Sequence, residues 1–194
     1  MENSQKPANE EKVWYALRVT YNRELKVKDD LDSRGVESFI PMQYKLMERA
    51  GRMVKRLVPT VHNLIFVHTT PSFMRAYKER THLPIRYIMN RERHQPVVVP
   101  EWQMRNFIAV AGTYDEQLVY LTPEPGDFAT GDRVKVLGGI FEGAEGVLVR
   151  VKGDRRVLVS IEGVVAVATT FIHPSMLQKL PNNDKNKNTT DGKD

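Results

Sequence analysis

Apolar and polar residues alternate from Trp14 to Val19, which predicts a strand with Tyr15, Leu17 and Val19 on one face and Trp14, Ala16 and Arg18 on the other. The period then lengthens: Leu25, Val27 and Leu31 form an apolar stripe on a helix, with Asn22 as its N-cap and Gly35 at its end. Residues 36–46 read as a strand interrupted at Pro41, and Arg49-Ala50-Gly51-Arg52 as the tip of a basic hairpin. The chain returns as a strand over 57–69, whose centre, Leu64-Ile65-Phe66-Val67, is apolar on both faces. Pro71-Ser72 opens a second helix with Phe73, Ala76 and Tyr77 on one face. Short strands follow at 87–89 and 97–99, and a third helix runs from Pro100 through Trp102, Phe107 and Ile108 to Gly112. This order predicts an α+β fold, a mainly antiparallel sheet covered by helices.

Tyr114 to Pro125 has two prolines and no periodicity, and reads as an interdomain linker. After it the pattern changes to four valine-rich runs, 134–137, 147–151, 157–161 and 164–168, each bounded by glycine or Gly-Asp. Such spacing predicts a small β-barrel, closed by Phe171-Ile172 and by 177–180. Glycines 138, 139, 143, 146, 153 and 163 and the β-branched content make these runs poor helices, so a permanent barrel is expected. The expected division is a disordered tail over 1–12, a first domain over 13–113, a linker over 114–126, a barrel over 127–180 and a second disordered tail over 181–194.

Charge separates the two halves. The whole chain carries +5, but residues 1–113 hold 19 Lys and Arg against 12 Asp and Glu, while residues 114–194 hold 10 against 12. A basic first domain points to nucleic acid, and the second half to a different kind of partner. Arg18, Arg23, Lys26 and Lys28 cluster at the first strand and helix, and Arg49, Arg52, Lys55 and Arg56 on the hairpin, where they suit phosphate. The chain has no cysteine, hence no disulfide or thiolate metal site. Its start lacks the apolar core of a signal peptide, and no apolar run reaches the ~20 residues that span a bilayer, so a cytoplasmic protein is expected.

Enzymatic chemistry finds no support in the pattern. The glycines at 138–146 lie between strands and lack the Lys-Ser/Thr ending of a phosphate loop. His62 and His68 stand too far apart on a straight strand to share a zinc ion, and no third ligand accompanies them. No cofactor and no metal are expected.

The stretch Gly131 to Val151, GDRVKVLGGIFEGAEGVLVRV, resembles a KOW motif, the signature of a small barrel in ribosomal proteins and NusG-type elongation factors. With it stand Trp14-Tyr15, Pro41-Met42, the basic segment 48–56, Asn63-Leu64-Ile65-Phe66-Val67 and Pro96-Val97-Val98-Val99-Pro100, in one order across two domains. Together they resemble the NusG family over residues 12–180, and Gly139-Ile140-Phe141-Glu142-Gly143 is similar to the loop of its RfaH and UpxY antiterminator type.

The resemblance implies an NGN-like first domain, an SH3-like KOW barrel and a non-enzymatic factor that suppresses pausing and termination, in UpxY-type relatives within long polysaccharide operons. It implies that an apolar strip of Ala16, Arg18, Leu64 and Phe66 docks on the clamp helices of RNA polymerase. Arg18, Arg23, Lys26, Arg49, Arg52, Lys55 and Arg56 would meet non-template DNA or nascent RNA, and Phe141, Glu142 and Glu162 would face a partner of the barrel. Glu162 stands where general NusG proteins have phenylalanine, which speaks against Rho and leaves a ribosomal protein as that partner. A monomer away from membranes is expected. The alternative is a ribosome-associated RNA-binding KOW protein.

Overall fold

The computed structural model describes residues 10–90, 92–121, 131–151 and 153–181; residues 1–9 and 182–194, the bulk of the two expected tails, lie outside them. The first sheet is built around β1 (Val13–Val19). On one side β1 pairs antiparallel with β5 (Leu64–Thr69), which in turn pairs with β2 (Glu37–Phe39). Its other edge is shared by β6 (Ile85–Tyr87) and β7 (Val98–Val99). The register sets Ala16 opposite Phe66 and Arg18 opposite Leu64, so the even-numbered residues of both strands share a face.

Each face of this sheet is covered by helix. Tyr15, Leu17, Val19, Ile65 and Val67 pack with Val27 and Leu31 of α1 (Glu24–Ser33) and with Met74 and Tyr77 of α2 (Pro71–Arg80). Trp14, Ala16, Leu64 and Phe66 pack under Met104, Phe107, Val110 and Ala111 of α3 (Glu101–Ala111). Phe107 meets Phe66 edge-on at 5.7 Å and Phe39 at 6.2 Å between ring centroids, a favoured aromatic geometry.

Local chemistry explains the helix ends. Thr70 caps α2, its hydroxyl accepting from the Phe73 amide, with Pro71 at the first position. Gly35 ends α1 at φ +67°, where its amide and that of Val36 reach back to Asp32 and Leu31, a Schellman closure. The start of α1 differs from the expected one. Tyr21 and Asn22 both turn left-handed, the helix begins at Glu24, and no side chain caps it. That shift puts Glu24, not Leu25, in line with Val27 and Leu31. Glu24 is buried and its carboxylate accepts the Asn63 amide, while Leu25 faces water.

Between β2 and β5 the chain leaves the sheet as a long ribbon, β3 (Met42–Arg49) and β4 (Arg52–Pro59), joined by Ala50-Gly51. Both turn residues have positive φ, the two-residue turn that suits a hairpin's twist. The strand expected over 57–69 is thus two strands, broken at 60–63.

The second domain is a six-stranded antiparallel sheet in the order β13-β9-β10-β11-β12-β8. Four of its strands are the valine-rich runs: β9 (Arg133–Val136), β10 (Glu145–Val151), β11 (Asp154–Ile161) and β12 (Val165–Ala168). β13 (Leu177–Lys179) adds to β9, whereas Phe171-Ile172 takes no part as strand. The expected linker is partly strand: residues 119–121 form β8 (Val119–Leu121), paired to β12 with Tyr120 opposite Val167. Three residues are too few to show an alternation, so the pattern hides this strand. Residues 122–130 lie outside the described residues.

Gly146, near the start of β10, lies against Val157 and Leu158 of β11. A Cβ there would press on the Leu158 carbonyl oxygen and lie 2.8 Å from Val157 Cγ1. Backbone cannot yield as a side-chain tip does, so Gly146→Ala is expected to lower stability by about 1–3 kcal/mol, read as a shift of the urea midpoint at unchanged slope.

Candidate nucleic-acid and partner surfaces

The hairpin has two chemically different faces. On one, Lys45 stands opposite Arg56 and Arg49 opposite Arg52, with Met47 and Val54 paired between them. Like charges directly across a ladder repel, and among the described residues none of these four cations meets a carboxylate within ion-pair distance. The face therefore lacks an internal anion and is suited to an external one. Lys55 lies on the opposite face, over the Tyr44 ring at 4.9 Å, and is paired with Glu116. The Glu116 carboxylate holds its ammonium above the ordinary lysine range. Of the expected hairpin contacts, Arg49, Arg52 and Arg56 share a surface and Lys55 does not. Lys45 belongs with them, and counting outward from the Ala50-Gly51 turn is enough to find it.

The first-strand cations are dispersed. Arg23 and Lys26 are exposed at the start of α1, and the Arg23 guanidinium lies 5.9 Å from the Tyr21 ring centre. Arg18 is exposed at the far end of the α3-side face and stands opposite Arg86 of β6, a third like-charge pair.

The apolar strip is not open to water. Ala16 and Phe66 are wholly buried and Leu64 retains 3% exposure, leaving Arg18 alone accessible among the four residues. The physical reasons differ. Phe66 lies beneath Phe107 of α3 and belongs to the first domain's own core. Leu64 stands at the end of that face, within the apolar cluster that also holds Val164 of the second domain and has Tyr120 packed against it. The apolar cluster is continuous from Trp14 and Phe66 through Met104 and Phe107 to Val134, Val159 and Val167. Polar contacts reinforce the junction: the Glu145 amide donates to Asn106 Oδ1 of α3 at 3.2 Å, and Gln43 Nε2 donates to the Asp115 and Leu118 carbonyls at 2.9 and 3.1 Å.

In the β-rich domain, Phe141 is buried at 4% exposure and packs in the core, so it offers no loop contact; Glu142 and Glu162 are exposed. Ile140, Phe171, Leu137 and Met176 are the large apolar side chains facing water there. Leu137 and Ile140 flank Gly138-Gly139 in the KOW loop, yet alternation alone does not say which loop residue turns inward. His68 serves structure: it stacks on Trp14 at 4.8 Å and bonds Glu37 at 2.9 Å, while Trp14 Nε1 donates to Glu101.

These two domains match two family models. The model described as transcription termination factor nusG covers residues 12–108, and the KOW motif covers residues 130–162. No curated protein matches the chain. A solved structure described as "Domain interaction in Thermotoga maritima NusG" is similar at 22% identity and a TM-score of 0.42, over 88% of this chain and 98% of that one. A family model spanning half of the chain in its first domain, with a KOW motif in its second, makes the protein a member of the NusG family of transcription elongation and termination factors.

Proposed function

We propose that this chain is an elongation factor of the antitermination type, docking on the clamp helices of RNA polymerase and suppressing pausing and termination in a long operon of the polysaccharide type. The observation that carries the reading is the continuous apolar cluster across α3. A face that buries its own second domain is apolar enough to accept two helices of another protein, and the two occupants exclude one another. The docking face is then the part of the first domain that the β-rich domain covers, namely Leu64 and the outer side of α3, with the exposed Arg18 at its margin and Phe66 supporting it from beneath. Departure of the β-rich domain precedes docking, which makes the packed arrangement the resting form. The four-cation face of the hairpin takes phosphates of non-template DNA or nascent RNA, and the exposed Ile140 and Phe171, with Glu142 and Glu162, serve a partner of the KOW domain.

Competition for one face gives a directional test. Asn106→Ala removes the acceptor from the Glu145 amide and weakens the interdomain contact by about 1–2 kcal/mol. The full-length variant is expected to bind purified polymerase clamp helices about fivefold or more tightly than the unaltered chain, since the competent fraction rises. Absence of measurable binding by both proteins in a titration sinks the clamp reading.

The hairpin is tested separately by salt. Arg49→Ala, Arg52→Ala and Arg56→Ala are each expected to lower affinity for single-stranded DNA and to flatten the dependence of log K on log salt by about 0.7 for each phosphate left without its cation. Lys55→Ala, whose ammonium is already paired with Glu116, is expected to change that slope least.

A further inference from the structure

The β-rich domain sorts its charges by end. Among the described residues from 131 to 181, Arg133 and Lys135 lie within ion-pair distance of Glu145, Arg156 of Asp154 and Lys179 of Asp132. Arg150 and Arg155 are the two described arginines of this stretch that meet no carboxylate. Both are exposed, and they stand directly opposite each other where β10 turns into β11. Like charges across a ladder repel. Strand alternation sets the neighbouring Asp154 on the other face, with Arg156, so it does not neutralise them. The next rung inward, Leu148 and Val157, packs in the apolar core, which leaves the two guanidiniums beyond its rim.

The anions show the same sorting. Glu142 and Glu162 are exposed and meet no cation among the described residues; they lie in the β9–β10 loop and the β11–β12 turn. In an antiparallel sheet those two connections share one end, and the β10–β11 turn takes the other. Unpaired cations and unpaired anions therefore occupy opposite ends of the domain. Apolar exposure differs as well. Leu137 and Ile140 face water in the β9–β10 loop, whereas neither β10 nor β11 exposes a large apolar side chain.

We propose that the β10–β11 end of the second domain is a nucleic-acid contact, in which Arg150 and Arg155 hold backbone phosphates. A planar guanidinium matches phosphate oxygens in a two-pronged bond, and an anion between the two arginines removes their repulsion. Small-molecule sites are concave, but this end is open: Gly153, in the turn, has φ +90°, and a Cβ on it would meet nothing within 4 Å. A protein partner would be expected to use buried apolar or aromatic anchors, which these two strands do not offer. A strand of phosphates needs neither pocket nor anchor, because its binding comes from cations that displace counterions. The site lies outside the first-domain ribbon and does not rest on the polymerase reading. With it, one chain carries phosphate contacts on both domains, so a nucleic acid held by one is presented to the other at raised effective concentration.

The test compares the purified full chain with its Arg150→Gln/Arg155→Gln variant by fluorescence anisotropy. The probes are oligouridylate, oligothymidylate, a DNA duplex and poly-L-glutamate, each titrated from about 50 to about 200 mM salt. On at least one nucleic acid the variant is expected to bind about tenfold more weakly at the low-salt end. Its plot of log K against log salt is expected to flatten by about 0.7 for each single-strand phosphate released, or about 0.9 on a duplex. The nucleic acid with the largest loss identifies the source of the phosphates. Arg49→Ala in the first-domain ribbon is expected to multiply that loss, since separated contacts are additive in free energy; measured alone, it tells failure of the ribbon from failure of this end. The melting temperature of the unliganded variant is expected to be unchanged or higher, because two opposed charges have been removed. The proposal is overturned if every nucleic acid binds the variant as tightly as the unaltered chain, or if the variant melts lower, which would give the arginines an internal partner. A loss on poly-L-glutamate as large as on the nucleic acids would also overturn it, in favour of an acidic protein.

Discussion

The structure turns on α3. A helix at the end of the first domain lays Phe107 against Phe66 and Phe39 and completes the sheet's second layer. The same helix meets the β-rich domain, with Asn106 holding the Glu145 amide. Burial of apolar area is the main favourable term on both sides, yet the sides are not equivalent. The sheet side is sealed by residues of its own domain and survives any domain movement. The outer side is sealed by a separate domain, and that apolar area is the part a competitor can claim.

Much of this fold is legible in the sequence because two periodicities mark it. The alternation of 14–19 assigns each residue of β1 to the layer it occupies, with Tyr15, Leu17 and Val19 toward α1 and α2 and Trp14 and Ala16 toward α3. The valine runs give four strands of the second domain, and Ala50-Gly51 fixes the ribbon's register. What the pattern misses has physical causes. Tyr21 and Asn22 adopt left-handed backbone without glycine, so α1 begins later than its apolar spacing suggests. β8 is three residues long and is strand only because β12 offers it a free edge.

The sites are less legible than the fold, since a period places a residue on a face and does not say what covers it. Phe66 and Ala16 fall on the expected face and are buried there by a helix of their own domain. Phe141 lies in the expected loop and turns inward. The cations are easier to place because solvated charges stay outside. The hairpin register then sorts them further, uniting Lys45 with Arg49, Arg52 and Arg56 and separating Lys55.

That separation links the ribbon to the domain junction. Gln43, at the root of β3, is buried with its amide on the carbonyls of Asp115 and Leu118, and Lys55 farther out is paired with Glu116. All three contacts fall on the segment that leads from α3 into β8. A buried hydrogen bond contributes about 0.5–1.5 kcal/mol and costs more when one partner is stranded; the exposed ion pair adds little. Gln43 therefore holds the segment at the root of the ribbon, while Lys55 steadies it without anchoring it. Any displacement of the β-rich domain that carries residues 115–118 along must break the Gln43 bonds first. The cationic face and the covered apolar face are thus not two independent surfaces, because the short segment between them is fastened to both.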